Sequence, residues 1–449
     1  MGHEPSISHS GTITQGTHGM TEQTFDYLVV GAGIVGLTVA RELKARCPSA
    51  RVGVLDKERQ AGLHASGRNS GVLHSGIYYA SDSRKAKVCA SGAALMMEFA
   101  AEHGIAYRRS GKVIIGTSED DLPTIDRLLR NAHRNGIRAW RIDAKDLSEI
   151  EPYAVESAPG IIYCPDTAVI DSHAVITRLT GLLKEQGVEF LWDHEVRGLG
   201  GPCEVITNHG CVGYSHLFNC AGAYADVVAR RFGCGMEYAL VPFKGIYWKL
   251  RPDANHKVRA NIYPVPDIGL PFLGVHFTRV INGDVYIGPT AMPALGRENY
   301  GLLQGARLRE SMEIGYRILR MAWTNASNFR ELAYTEMAKY SKSVFLKGAR
   351  KLVPTISVDD MIATPKAGIR PQLVNISSGA LETDYILEHT ENSTHVLNAI
   401  SPAFTGAFAF AKMIVDDGGV VSMERGRDPG LTEVAPQIQT VPQREIGRD

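Results

Sequence analysis

The stretch VVGAGIVG sets Gly31, Gly33 and Gly36 at the spacing G-x-G-x-x-G. The first glycine permits a tight turn, the second lets backbone approach a pyrophosphate, and the third lets a helix pack closely on a strand. The N-terminus of that helix, at Ile34, offers unsatisfied N–H groups and a partial positive charge to an anion. About twenty residues on, Asp56 closes a second apolar run, where an acid meets a ribose hydroxyl. An acid there, and not a basic residue, argues against a 2′-phosphate. These residues together predict a dinucleotide grip.

The elements that must hold this grip read as a β-α-β unit: a strand Asp26–Val30, a helix from Ile34 to about Cys47, and a strand Arg51–Leu55. A long loop follows, AGLHASGRNSGVLHSGIYY, rich in Gly, Ser, His and Asn, and loops of that length are usually functional. Helices are expected near 83–103, 120–135 and 172–186, with strand material between 107 and 117. FNCAGAYAD, Phe218–Asp226, reads as a strand entering a helix through Ala221 and Gly222. Residues 238–288 are rich in Pro, aromatic and β-branched types and predict an antiparallel sheet that roofs a pocket. Helical character returns over 302–347. Then DDMIATPKAGIRPQL gives strands and turns, and HVLNAISPAFTGAFAFAKMIVDDGG gives a strand, a turn and a helix.

The recurrence of nucleotide-fold pieces after 172, at 218–226 and at the C-terminus favours FAD over NAD, because a long flavin cofactor needs contacts spread along the chain. A helix starting near Ser401 would aim its positive end at the reduced ring. The fold expected is α/β: a Rossmann-like FAD-binding domain plus an antiparallel-sheet substrate domain. The FAD-binding portions are expected at 24–105, 166–235 and 356–425, and the substrate portions at 106–165 and 236–355. A disordered leader (1–23) and a flexible tail (426–449) complete the chain.

Composition narrows the function. Lys plus Arg (48) equals Asp plus Glu (48), which disfavours a nucleic-acid partner. The seven cysteines form no C-x-x-C pair and are odd in number, so neither a metal site nor a disulfide framework is expected. No apolar run is long enough to span a bilayer, and no amphipathic anchor stands out. The residues from 1 to 20 carry no signal-peptide pattern, and a cytoplasmic protein is expected.

The block RNSGVLHSGIYY, the pair NIYPVPD and GVHFT, and the C-terminal KAGIRPQ and NAISPAFTGAFAFAKMI resemble the L-2-hydroxyglutarate dehydrogenase/oxidase branch of the D-amino-acid-oxidase-like flavoproteins. The resemblance runs from about Phe25 to about Asp417. It implies FAD, an L-2-hydroxy dicarboxylate as substrate, and oxygen or a membrane quinone as electron acceptor, the latter with peripheral contact at the inner membrane. A flavin amine or amino-acid oxidase on the same fold is the alternative. Three positions depart from the family's pattern. Asp56 stands where glutamate is commoner, Arg68 where histidine often precedes N-S-G, and SPAFTG replaces SPAATS, placing Phe404 and Gly406 beside the expected flavin edge.

Within that resemblance, the expected flavin contacts are Gly31, Gly33, Ile34, Gly36, Asp56, Lys57, Ser66, Asn69, Ser70, Gly71, Val196, Ala221, Gly222, Ser401, Pro402 and Thr405. Oxidation of a secondary alcohol also needs a base for the hydroxyl proton, and a neutral histidine suits that task. His74 in the glycine-rich loop is the first candidate and His276 on the roof strand the second. Arg370 suits a carboxylate, since guanidinium binds it in bidentate fashion, with Lys244 and Tyr263 as further partners.

Overall fold

The computed structural model describes residues 23–266, 273–301 and 304–420. Most of the expected leader and all of the expected tail lie outside them. Two large sheets organise the described residues. The first runs in the order 196–201, 204–207, 210–219, 23–30, 52–55, 189–191, with 393–396 added alongside 210–219 and 387–390 beyond it. Its centre is parallel: Gln23–Val30 pairs in parallel with both Gly210–Asn219 and Val52–Leu55. Strands buried on both faces read as continuous apolar runs, and VGVL at 52–55 is buried throughout. The helices Ile34–Arg46, Arg84–Glu102 and Ala407–Asp417 pack together in the same hydrophobic core.

The second sheet runs 292–293, 238–250, 285–287, 277–279, 261–264, 112–115, 161–164, 140–142, with Met361–Asn375 pairing along Tyr238–Leu250. It is mostly antiparallel, although Asn261–Pro264 runs parallel to Lys112–Ile115. The strand Met361–Asn375 belongs to this sheet, so the stretch expected to be a third FAD-binding portion opens with a strand of the larger sheet. A small sheet joins Val72–Leu73, Ala168–Ile170 and Tyr107–Arg109 and ties the glycine-rich loop to the rest.

One expectation needs correction. The last helix begins at Ala407, not near Ser401; residues 401–406 form a turn before it. The helical region expected over 302–347 is present as Leu308–Thr324, Phe329–Ala338 and Lys342–Arg350, and the first of these also carries large apolar residues on its exposed face.

Candidate active site

Gly31 takes φ +106°, and a Cβ there would lie 2.5 Å from the Cys220 carbonyl oxygen. Only glycine lets the turn close against the end of the neighbouring strand. A Cβ on Gly36 would fall 1.9 Å from the Gly31 carbonyl, so Gly36 serves helix-to-strand packing and does not line the cavity. Asp56 accepts the N–H groups of Ala32 (2.6 Å) and Glu58 (2.9 Å), fixing the turn to the end of the second strand. Burial pushes its carboxyl above the usual range. Ser66 Oγ accepts the Ile34 N–H at 2.9 Å, pinning the glycine-rich loop to the helix start. Asn69 accepts the Gly71 N–H and donates to the Ser66 carbonyl. Gly71, at φ +71°, abuts the Ile170 carbonyl and supports the loop from behind, outside the cavity.

One continuous cavity of about 400 Å³ runs from this turn to the roof sheet. Gly31, Gly33, Ile34, Asp56, Lys57, Val196, Ala221 and Gly222 line it, together with Ser66, Asn69, Ser70, Ser401, Pro402 and Thr405. At the other end stand His74, Tyr247, Tyr263, His276 and Arg370. Phe404 lines the cavity too. Gly406 does not: a Cβ on Gly92 would meet its Cα at 2.5 Å, so it is a packing contact between the helix Arg84–Glu102 and the turn. Lys244 is also absent from the lining. Its buried ammonium donates to the Gly301 carbonyl at 2.8 Å, which corrects its expected place beside the substrate.

Both histidines are neutral, His276 buried and His74 partly so. His74 is pulled down to about 3 by burial, then by the charge of Lys112 and by His276 and Arg370. Its backbone N–H donates to Thr405 Oγ1 at 3.2 Å, and its carbonyl accepts from the Cys89 thiol, so the turn and the helix Arg84–Glu102 hold its backbone from two sides. Its Nδ1 is buried with no hydrogen-bond partner among the described residues. His276, likewise pulled to about 3 by burial, with Arg370 and Lys112 adding to the drop, keeps Nδ1 within 2.8 Å of the Gly274 carbonyl. A carbonyl partner requires Nδ1–H, leaving Nε2 as the acceptor.

Residues with no local signal in the sequence complete the site. Lys112, fully buried, has its ammonium 4.5 Å from the Tyr78 ring centre and 5.4 Å from that of Tyr263, with no carboxylate in an ion pair among the described residues. At the nucleotide end, Glu298 reaches across to Lys57 (2.5 Å) and accepts from Tyr224 (2.8 Å). Tyr300 bonds His64 at 2.8 Å, and the Arg68 guanidinium lies 4.0 Å over its ring. Arg297 anchors this strap through a buried pair with Asp226. Glu58, His64 and Glu298 are spaced to hold a metal ion, but the Lys57 ammonium already bonds all three or lies in ion-pair range of them.

Residues 26–417 match the DAO family, the FAD dependent oxidoreductases. The chain belongs to this family. It is 34% identical over 439 residues to the mitochondrial L-2-hydroxyglutarate dehydrogenase of Bos taurus, covering 92% of this chain and 93% of that one. With the L-2-hydroxyglutarate dehydrogenase of Indibacter alkaliphilus it shares 33% identity, over 87% of this chain and 98% of the relative. In fold it is similar to the dithionite-reduced L-α-glycerophosphate oxidase of Mycoplasma pneumoniae with FAD bound, at TM-score 0.73 and 18% identity over 90% of this chain and 97% of that one. Glycine oxidase from Geobacillus kaustophilus follows at TM-score 0.65 and 17% identity, over 88% of this chain and 94% of that one.

FAD is thus the cofactor of this oxidoreductase, and the residues present fit it. A glycine turn that tolerates no Cβ, a helix N-terminus beside it and a cavity continuing to an unpartnered imidazole provide for an anion at one end and a flat ring at the other.

Proposed function

We propose that this protein oxidises L-2-hydroxyglutarate to 2-oxoglutarate, passing the electrons to oxygen or a quinone. The observation that carries the reading is the meeting of His74, His276, Tyr263 and Arg370 at one end of the cavity, in a chain about one-third identical to L-2-hydroxyglutarate dehydrogenases along most of its length. FAD, when bound, supplies the two-electron oxidant for the carbon that carries the hydroxyl.

The chain's own residues supply the rest. Arg370 holds a substrate carboxylate by charge-assisted hydrogen bonds, which fixes the alcohol's orientation. The phenols of Tyr247 and Tyr263, which burial keeps protonated, stand ready to donate to carboxylate or carbonyl oxygens. A neutral imidazole, His74 Nδ1 first and His276 Nε2 second, takes the hydroxyl proton. The buried cations make these imidazoles weak bases before substrate arrives. The anionic substrate offsets that charge and strengthens them when the proton must move. Tyr263 and His276 are buried and stacked on each other at this end. Seven free cysteines, five of them buried, accord with a reducing, cytoplasmic compartment.

The test is anaerobic mixing of the FAD-loaded protein with L-2-hydroxyglutarate, glutamate and sarcosine in turn. Bleaching of the yellow colour by the hydroxy acid alone supports the reading. Bleaching by either amine would replace it with an amine oxidase.

A further inference from the structure

The helix whose positive end is expected beside the reduced ring begins only at Ala407, and its N-cap, Gly406, does not line the cavity. A hydride carries two electrons and one proton, so a neutral flavin that accepts it gains a negative charge. A preorganised cation or dipole in the cavity wall stabilises such a charge. The wall holds a cation that neither the nucleotide turn nor the substrate end uses, Lys85.

Lys85 stands in the first turn of the helix Arg84–Glu102. Val88, Cys89 and Gly92 follow it on the same helical face. Each of the three touches the site. A Cβ on Gly406 would lie 3.2 Å from Val88 Cγ2, and one on Gly92 would lie 2.5 Å from the Gly406 Cα. The Cys89 thiol donates to the His74 carbonyl. That face is therefore laid against the turn 401–406 and the glycine-rich loop, and Lys85 enters the cavity lining with Ser401 and Thr405. Its ammonium lies 5.5 Å from the centre of the Tyr79 ring, within cation–π range, and the Tyr79 phenol reaches Ser401.

The position is a costly one for a charge. Lys85 is 8% exposed, and a lysine so buried is almost always paired. Among the described residues its ammonium is in no ion pair or hydrogen bond. Asp384 acts on it from a distance, but its oxygens accept the backbone N–H groups of Arg84 (2.8 Å), Lys85 (3.1 Å) and Tyr385 (2.8 Å). The first turn of a helix is also the end that repels a cation. Burial pulls the ammonium down to about 8. A negative charge arriving in the cavity offsets these costs. Neither end of the cavity supplies it. Lys112 and Arg370 act on both His74 and His276, and Lys85 acts on neither, which sets it apart from the substrate carboxylates. The pyrophosphate has its own helix N-terminus at Ile34.

We propose that Lys85 is the fixed cation that meets the negative charge gained by the flavin on reduction, and so sets how readily the ring takes electrons. The inference rests on FAD as the cofactor and not on which hydroxy acid is oxidised.

The test is the midpoint potential of the FAD-loaded full chain, read by equilibration with redox dyes and dithionite, for the unaltered protein and its Lys85 variants. Lys85→Met is expected to lower the equilibrium constant for two-electron reduction about ten- to a hundredfold, a potential about 30 to 60 mV more negative. Lys85→Gln, polar but uncharged, should shift the same way. Lys85→Arg keeps the charge and should stay close to the unaltered value. Unchanged potentials in Lys85→Met and Lys85→Gln, with FAD retained, would overturn the proposal. So would an unchanged potential with a raised Michaelis constant for L-2-hydroxyglutarate, since Lys85 would then serve the substrate. Because dithionite supplies the electrons, the potentials decide the matter whether or not L-2-hydroxyglutarate is the substrate.

Discussion

The imidazole of His276 lies on the phenol ring of Tyr263, with ring centres 4.1 Å apart and planes 29° apart. The strand Asn261–Pro264 supplies the phenol, and Val275–Phe277 leads into its antiparallel partner. The stack and the Nδ1–H bond to Gly274 together fix which nitrogen of His276 is free. Replacing Tyr263 with leucine removes an aromatic contact of about 0.5–1.5 kcal/mol and loosens that ring. The expected outcome is a lower kcat with FAD still bound, measured by steady-state turnover and the ratio of flavin to protein absorbance.

His74→Asn and His276→Asn distinguish the two candidate bases. Loss of a general base lowers the rate about 10²- to 10⁴-fold. His74→Asn is expected to show that loss in the anaerobic rate of flavin bleaching while retaining FAD. His276→Asn is expected to lose less. The reverse order would move the proton acceptor to His276.

Arg370→Ala is expected to raise the Michaelis constant for the hydroxy acid by about ten- to a hundredfold, the equivalent of a charge-assisted hydrogen bond of roughly 1.5–3 kcal/mol. Flavin content should not change. A normal Michaelis constant would remove Arg370 from the carboxylate site.

The nucleotide end makes its own prediction. Asp56→Ala removes the acceptor for the Ala32 and Glu58 N–H groups, and FAD should be lost faster on dialysis. Glu298→Gln weakens the half-buried strap to Lys57 and should have a smaller effect of the same sign, on the order of 1 kcal/mol or less. Unchanged flavin retention in Asp56→Ala would contradict the assigned role of the turn.

Acid should destabilise the fold through its buried histidines. His74 and His276 are lowered to about 3, and His216 and His395 to about 4, each mainly by burial. The unfolded chain gains these protons as pH falls through the ordinary histidine value near 6.5, while the native chain does not. Stability from these groups is therefore complete above that pH and is lost progressively down to about 3. Thermal melting followed from pH 8 downward should show the decline, and His276→Asn should make it shallower.

What could be read in the sequence had local grammar. Gly31, Gly33, Gly36 and Asp56 sit at fixed intervals in one β-α-β unit, and Pro402 and Gly406 mark a turn. Even there, the start of the last helix was misplaced, because Pro402 fits a first helical turn as well as a tight turn. Lys112 looks like any lysine at the head of a strand; only the approach of Tyr78 and Tyr263 makes it a buried charge. Lys244 was misread because a cation in a motif block says nothing of which face of its strand it occupies. Glu298, Tyr300 and Arg68 meet across more than two hundred residues, a distance at which spacing carries no information. The large apolar residues on the exposed face of Leu308–Thr324 were present as periodicity, but which face met the core depended on the tertiary fold.

The central claim is tested most directly by anaerobic titration of the FAD-loaded protein with L-2-hydroxyglutarate, following flavin absorbance and assaying the product. One equivalent of L-2-hydroxyglutarate should discharge the flavin colour and yield one equivalent of 2-oxoglutarate, with the D-enantiomer inert. A flavin that stays oxidised in excess L-2-hydroxyglutarate would contradict the account.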